Sequence, residues 1–148
     1  ANFTPTDFKV FHPGGNLGKQ LNVAGHYMHV GEQLPLLSPN ELMSECLVKM
    51  TSYGFGCMGI INEEKRLVRI ITDGDLRRHM HPNLLSDSVE KIMTKNPVTI
   101  TPDTLMAEAL AIMQKCAITS IFVTDSINEN PKPLGLLHIH DCLRAGIA

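Results

Sequence analysis

Thr72 and Asp75 stand three residues apart where the β-branched run Ile70-Ile71-Thr72 gives way to Asp73-Gly74-Asp75-Leu76-Arg77-Arg78. An apolar run that stops abruptly at charged residues and a glycine predicts a strand turning into the first turn of a helix. A helix start carries unpaired N–H groups and the positive end of a dipole, so it receives a phosphate readily. The Thr72 hydroxyl can join that phosphate, and the Asp75 carboxylate can accept both hydroxyls of a sugar diol. Asp73 and Arg78 complete the candidate ligand set of this stretch. The layout returns near the C-terminus as Leu136-Leu137-His138-Ile139-His140-Asp141-Cys142-Leu143-Arg144. Here His138, His140 and Asp141 are the candidate ligand residues. One such element is a weak signal, but two in 148 residues predict a repeated ligand-binding module.

Each of these residues also has a plainer reading. An aspartate at a helix start is favoured by the dipole alone, and only the matched pair Asp75 and Asp141 tips the reading towards a ligand. Thr72 fits a ligand role and a simple N-cap equally well. His138 and His140 form an H-x-H, which on a strand would put both rings on one face and invite a metal. The pattern leaves the strand here and spacing offers no third ligand, so no metal is expected. His138 is instead read as a donor to ligand oxygens, with pH-dependent binding as the consequence. Arg78 and Arg144 can neutralise phosphates, whereas Arg77, His79 and His81 are read as facing solvent. Met43, Met50, Met106 and Met113 fall at helical core spacing and are read as packing.

The elements that must position these residues can be traced from Ser38 onward. Ser38-Pro39-Asn40-Glu41 has the form of a capping box with Pro39 at the first helical position. Leu42, Met43, Cys46, Leu47 and Met50 then mark one face of a helix ending near Tyr53-Gly54. Cys57–Ile61 and Leu67–Ile71, joined by a polar turn, predict a β-hairpin, and a short helix over Asp73–His79 closes the unit. The second half repeats this, with Thr101-Pro102 matching Ser38-Pro39. Leu105, Met106, Ala109, Leu110 and Met113 lie 63 residues after their counterparts. Thr119–Thr124 and Leu134–His138 form its hairpin. Each unit is expected to have its own lead-in, His26-Tyr27-Met28 and Lys91-Ile92-Met93-Thr94, followed by a proline-led strand at Pro35–Leu37 and Pro97–Ile100. A lone module of this size is marginal, so the two are expected to pack sheet face to sheet face.

Apolar residues make up 43% of the chain and charged residues 19%, with a net charge of −2 and a pI near 6.4. This balance offers no basic face for nucleic acid and no polybasic segment for a membrane. No apolar run approaches the ~20 residues of a spanning helix. The four cysteines lack C-x-x-C spacing and read as reduced thiols in a cytoplasmic protein. Before the repeats, Phe11-His12-Pro13-Gly14-Gly15-Asn16-Leu17-Gly18 forbids a regular helix and marks a shaped turn. The opening stretch reads as internal to a longer protein.

The β-α-β-β-α repeat with Thr-x-x-Asp after its third strand resembles the tandem cystathionine-β-synthase (CBS) domain pair, over about Gly25 to Ala148. The fold so implied is mixed α/β, two pseudo-symmetric units packed through their sheets. The implied ligands are adenosine-type nucleotides held between the units. Phe11-His12-Pro13-Gly14-Gly15, Thr72–Arg78 and His138–Gly146 together look like the C-terminal portion of bacterial arabinose 5-phosphate isomerases. Those enzymes join an N-terminal sugar-isomerase (SIS) domain to a CBS pair and serve synthesis of the lipopolysaccharide sugar Kdo. The likeness implies a division into residues 1–24 (the tail of an SIS domain and linker), 25–82 (first unit) and 83–148 (second unit). It also implies that His12 reaches into an isomerase active site, although this chain alone is not expected to isomerise sugars. The partners implied are the chain's own SIS domain and a second CBS pair in a homodimer, within a tetrameric parent. Leu76, Met80 and Leu143 are the residues expected at that contact. No cofactor is required, and the candidate regulatory ligands are an adenine nucleotide or CMP-Kdo. Two positions depart from the general motif: Arg69 stands three residues before Thr72 where Gly135 keeps the family's glycine before His138, and His138 replaces Thr or Ser.

Overall fold

The computed structural model of the chain describes residues 22–91, 94–95 and 97–147. A short helix α1 (Ala24–Tyr27) leads into the first unit: β1 (Leu36–Leu37), α2 (Met43–Tyr53), β2 (Cys57–Ile61), β3 (Leu67–Thr72) and α3 (Asp73–Arg78). A linker with two 3-10 turns carries β4 (Thr94–Lys95). The second unit follows as β5 (Thr99–Ile100), α4 (Met106–Cys116), β6 (Ser120–Thr124), β7 (Pro133–His138) and α5 (Ile139–Arg144). Among the described residues no helix is long and apolar enough to cross a membrane.

The repeat is kept in strand register as well as in sequence. Leu36 faces Gly59 in the parallel β1–β2 pair, and 63 residues later Thr99 faces Phe122 in β5–β6. Both hairpins are antiparallel and both slip register at the same place, between Ile60 and Ile61 and between Val123 and Thr124. The two sheets meet through a shared apolar layer of Cys57, Leu67, Ile70, Phe122 and Leu136. Gly59 makes that approach possible: a Cβ there would lie 2.7 Å from Phe122 Cζ and 2.8 Å from Leu67 Cδ1. Each unit keeps its own core behind its sheet, built on Met43, Cys46 and Met50 in the first and Met106, Ala109, Leu110 and Met113 in the second.

Three expectations need correction. Ser38 does not cap α2. The helix begins at Met43 with no side-chain cap, and Ser38–Glu41 is a turn closed by a Glu41 N–H to Ser38 C=O bond of 3.3 Å. The leading N–H of α2 goes instead to the Asp87 carbonyl at 2.9 Å, and that of α4 to the Asn22 carbonyl at 2.9 Å. Those carbonyls expose the second correction, because the lead-ins are crossed. The segment before the first unit serves the second: Ala24 donates to Thr104, His29 pairs with Leu136 on the edge of β7, and Ala24 is buried in the second core. The linker serves the first: Val89 donates to Glu41, β4 pairs with β3, and Val89 is buried in the first core. Thirdly, Leu42 is 45% exposed because it lies in the bridge to Ser88 before the helix, and Leu76 is buried at 8% in the first core instead of facing a partner.

Clefts between the units as the candidate functional site

The corner from β3 to α3 is built by side chains spaced three positions apart, Thr72, Asp75 and Arg78. Thr72 Oγ1 accepts the Asp75 N–H at 3.2 Å, while Asp75 Oδ2 accepts the Thr72 N–H at 2.9 Å and its hydroxyl at 3.2 Å. This reciprocal capping box satisfies donors that the helix itself leaves unpaired. Asp75 Oδ1 takes the Arg78 guanidinium, and the carboxylate is only 3% exposed. Of the two readings open for Thr72, the N-cap is the one the structure displays.

The corner from β7 to α5 repeats the design with an imidazole in place of the hydroxyl. His138 Nδ1 accepts the His140 N–H at 3.1 Å, and Asp141 Oδ2 accepts the His138 N–H at 2.7 Å. Because Nδ1 accepts, the neutral ring carries its proton on Nε2, which is left to donate. Burial, and then the neighbouring His140, push the His138 pKa below its ordinary value of 6.5. Asp141 Oδ1 receives Arg144 and also His29 Nε2 at 3.1 Å, and Asp141 is 1% exposed. Arg78 and Arg144 are each two-thirds exposed, so they are the partners a ligand can displace from these buried carboxylates at least cost.

Each corner faces a loop of the opposite unit. Thr72, Asp73, Gly74 and Arg78 look across a cleft of about 440 Å³ to Cys116–Ser120, the connection from α4 into the start of β6. His138, His140, Asp141 and Arg144 look across about 210 Å³ to Gly54 and Phe55, just before β2. The loops are tied together, Ser120 Oγ donating to the Phe55 carbonyl at 2.8 Å. The Phe55 ring lies 4.9 Å from His29 and 6.2 Å from His138. Cys57, beside the first cleft, is an inert thiol, since burial pushes its pKa up to about 12.

The structure thus gathers Thr72, Asp73, Asp75 and Arg78 at one corner and His138, His140 and Asp141 at the other. His12 and the glycine-rich turn around it lie outside the described residues. Among the described residues no three His, Cys, Asp or Glu side chains gather as a metal site. Sequence reasoning missed His29, Phe55 and the Cys116–Ser120 loop. The shared position of the two loops, each just before a hairpin, was the available signal, whereas nothing local marks His29.

Residues 25–82 and 89–148 each match the model of the CBS domain. An uncharacterized protein of Rickettsia prowazekii is 37% identical over 147 residues, which is 99% of this chain and 44% of that protein. The arabinose 5-phosphate isomerase KdsD of Pseudomonas aeruginosa is also 37% identical, over 98% of this chain and 44% of its own length. The chain therefore spans less than half the length of these relatives. Among solved structures, CBSX2 of Arabidopsis thaliana in complex with AMP superposes with a TM-score of 0.71 at 18% identity, covering 84% of this chain and 96% of that one. The CBS domain pair of protein MJ0100, in complex with 5′-methylthioadenosine and S-adenosylmethionine, gives 0.70 at 20% identity, over 84% and 94%. At these identities both establish the fold.

Proposed function

Since the chain belongs to the CBS domain family and carries two copies of the domain, we propose that it is a regulatory pair that binds an adenine nucleotide between its units. The observation that carries this reading is the matched pair of clefts, each joining a strand-to-helix corner of one unit to a loop of the other. In each, the aspartate (Asp75 or Asp141) takes the ribose diol in place of its arginine, and that arginine turns to the phosphate. Asp73, His140 and the Nε2–H of His138 add polar contacts at the rim. AMP in CBSX2 and S-adenosylmethionine in MJ0100 support an adenosine-type ligand. CMP-Kdo is the competing ligand, on the likeness to the arabinose 5-phosphate isomerases.

The same likeness supports a place for the chain as the C-terminal regulatory part of a cytoplasmic arabinose 5-phosphate isomerase. In that parent, residues 1–24 form the tail of the SIS domain and the linker, with His12 reaching its active site and Asn22 and Ala24 already packed on the second unit, and residues 25–82 and 83–148 form the sensing units. Ligand binding would act on catalysis only through a difference in affinity for two arrangements of the parent. A thermal-shift series with 5′-AMP, S-adenosylmethionine and CMP-Kdo tests the ligand. A native-state ligand at a hundred times its Kd stabilises by about 2.7 kcal/mol, so a rise in melting temperature is expected with at least one of them. No rise with any of the three would turn the reading to its rival, a ligand-free module that holds isomerase subunits together. Met80 at 69% and Leu143 at 53% exposure, near the ends of α3 and α5, favour that rival.

A further inference from the structure

The second cleft already holds a side chain. His29 comes from the crossed lead-in, pinned to the edge of β7 by two backbone bonds with Leu136 of 2.8 and 2.9 Å. Its Nε2 lies 3.1 Å from Asp141 Oδ1, its Nδ1 is 3.1 Å from Gln33 Oε1, and its ring sits 4.9 Å from Phe55. Both its nitrogens are therefore engaged, and its ring stands between the carboxylate and the aromatic wall of the cleft. The space that remains, about 210 Å³, is half the 440 Å³ of the first cleft, which His29 does not line. At the matching register of the other sheet, where β4 pairs with β3, the residue opposite Ile70 is Thr94.

We propose that His29 is a specificity-determining gate that reserves the second cleft, so that a nucleoside monophosphate fills the first cleft and reaches Asp141 only when His29 leaves. The proposal rests on the nucleotide reading above and adds which cleft is used and what decides it. Asp141 Oδ1 accepts from Arg144 and His29 together, so a ribose that displaced Arg144 alone would still have to share that oxygen with the His29 ring inside the remaining space of about 210 Å³. Because the bond from His29 to Asp141 ties the lead-in to α5, beside its two backbone bonds to β7, opening the gate loosens the lead-in.

Calorimetric titration of the full chain with 5′-AMP tests this by counting equivalents. Wild type is expected to take one equivalent, with any second at least tenfold weaker, and His29→Ala to take two of comparable affinity. The retained first equivalent shows that the variant is folded. Hydrogen exchange without ligand supplies an independent readout: in His29→Ala the amides of residue 29 and Leu136 should exchange at least tenfold faster. Two comparable equivalents in wild type, or one in both proteins, overturn the gate and leave the nucleotide reading standing. No binding by either protein overturns both.

Discussion

Asp75 and Asp141 each serve as a buried cap and as the proposed holder of a sugar, so neither can be removed without a structural cost. Asp75→Ala loses a capping box and leaves nearby donors unsatisfied, which should lower stability by about 1–3 kcal/mol. A urea midpoint equal to wild type would mean the cap contributes nothing. His138 carries a pH prediction whose sign follows from its depressed pKa. Below 6.5 the unfolded chain takes up a proton that the folded ring resists, so folding stability falls with pH in that range. The contribution is complete above 6.5 and is lost as pH drops through the folded value, where the protonated Nδ1 can no longer accept the His140 N–H. The urea midpoint should therefore fall between pH 7.5 and 5.5, and His138→Asn, which caps without titrating, should flatten the fall. An unchanged slope in that variant would assign the dependence to other histidines. At this scale the sequence was legible where chemistry is local: the spacing of Thr72 and Asp75 marks a helix corner in any context. His29 was not legible, because its partner lies 112 residues away.

Hydrophobic spacing located α2 and α4 to within a turn and found both hairpins, because a face that must be buried leaves its period in the sequence. The helix starts were misread for a definable reason. Ser38-Pro39 and Thr101-Pro102 carry the residues of a cap, yet both form turns, Glu41 donating to Ser38 and Thr104 to Thr101. The caps come instead from backbone carbonyls of the opposite lead-in, and a carbonyl has no residue signature. The difference is measurable. Ser38→Ala should change stability by no more than about 0.5 kcal/mol, as for an ordinary surface position, where loss of a true N-cap costs about 1 kcal/mol. Met113→Ala, by contrast, empties a fully buried site and should cost about 2–5 kcal/mol. Chemical denaturation of the two variants checks both values, and a loss above 1 kcal/mol in Ser38→Ala would restore the capping box. Gly135 yields to the same reasoning. A Cβ there would fall 2.6 Å from Met28 Cγ and 2.9 Å from Met28 Cβ, so the glycine leaves room for a lead-in that the sequence alone assigns to the other unit.

For the whole molecule, the crossed lead-ins mean that neither repeat is complete in its own stretch of chain. A fragment of residues 22–82 has its own lead-in but lacks the Asp87 carbonyl that caps α2 and the Val89 that fills its core. A fragment of residues 83–147 lacks the Asn22 carbonyl and Ala24 in the same way. Neither should show a cooperative thermal transition alone by circular dichroism, whereas an equimolar mixture should recover one. A cooperative melt from either fragment by itself would show that the exchange of lead-ins is dispensable.

That exchange has a consequence for ancestry and assembly. A chain holding a single repeat and its preceding arm could satisfy its helix cap only by borrowing the arm of a second copy while lending its own. Two such chains would build this same body as a swapped homodimer, with every contact described above made between molecules. Joining them end to end would then convert a concentration-dependent partnership into a permanent one without inventing a new interface. Once joined, the two arms are free to differ, and here a histidine stands in one where a threonine stands at the matching register of the other.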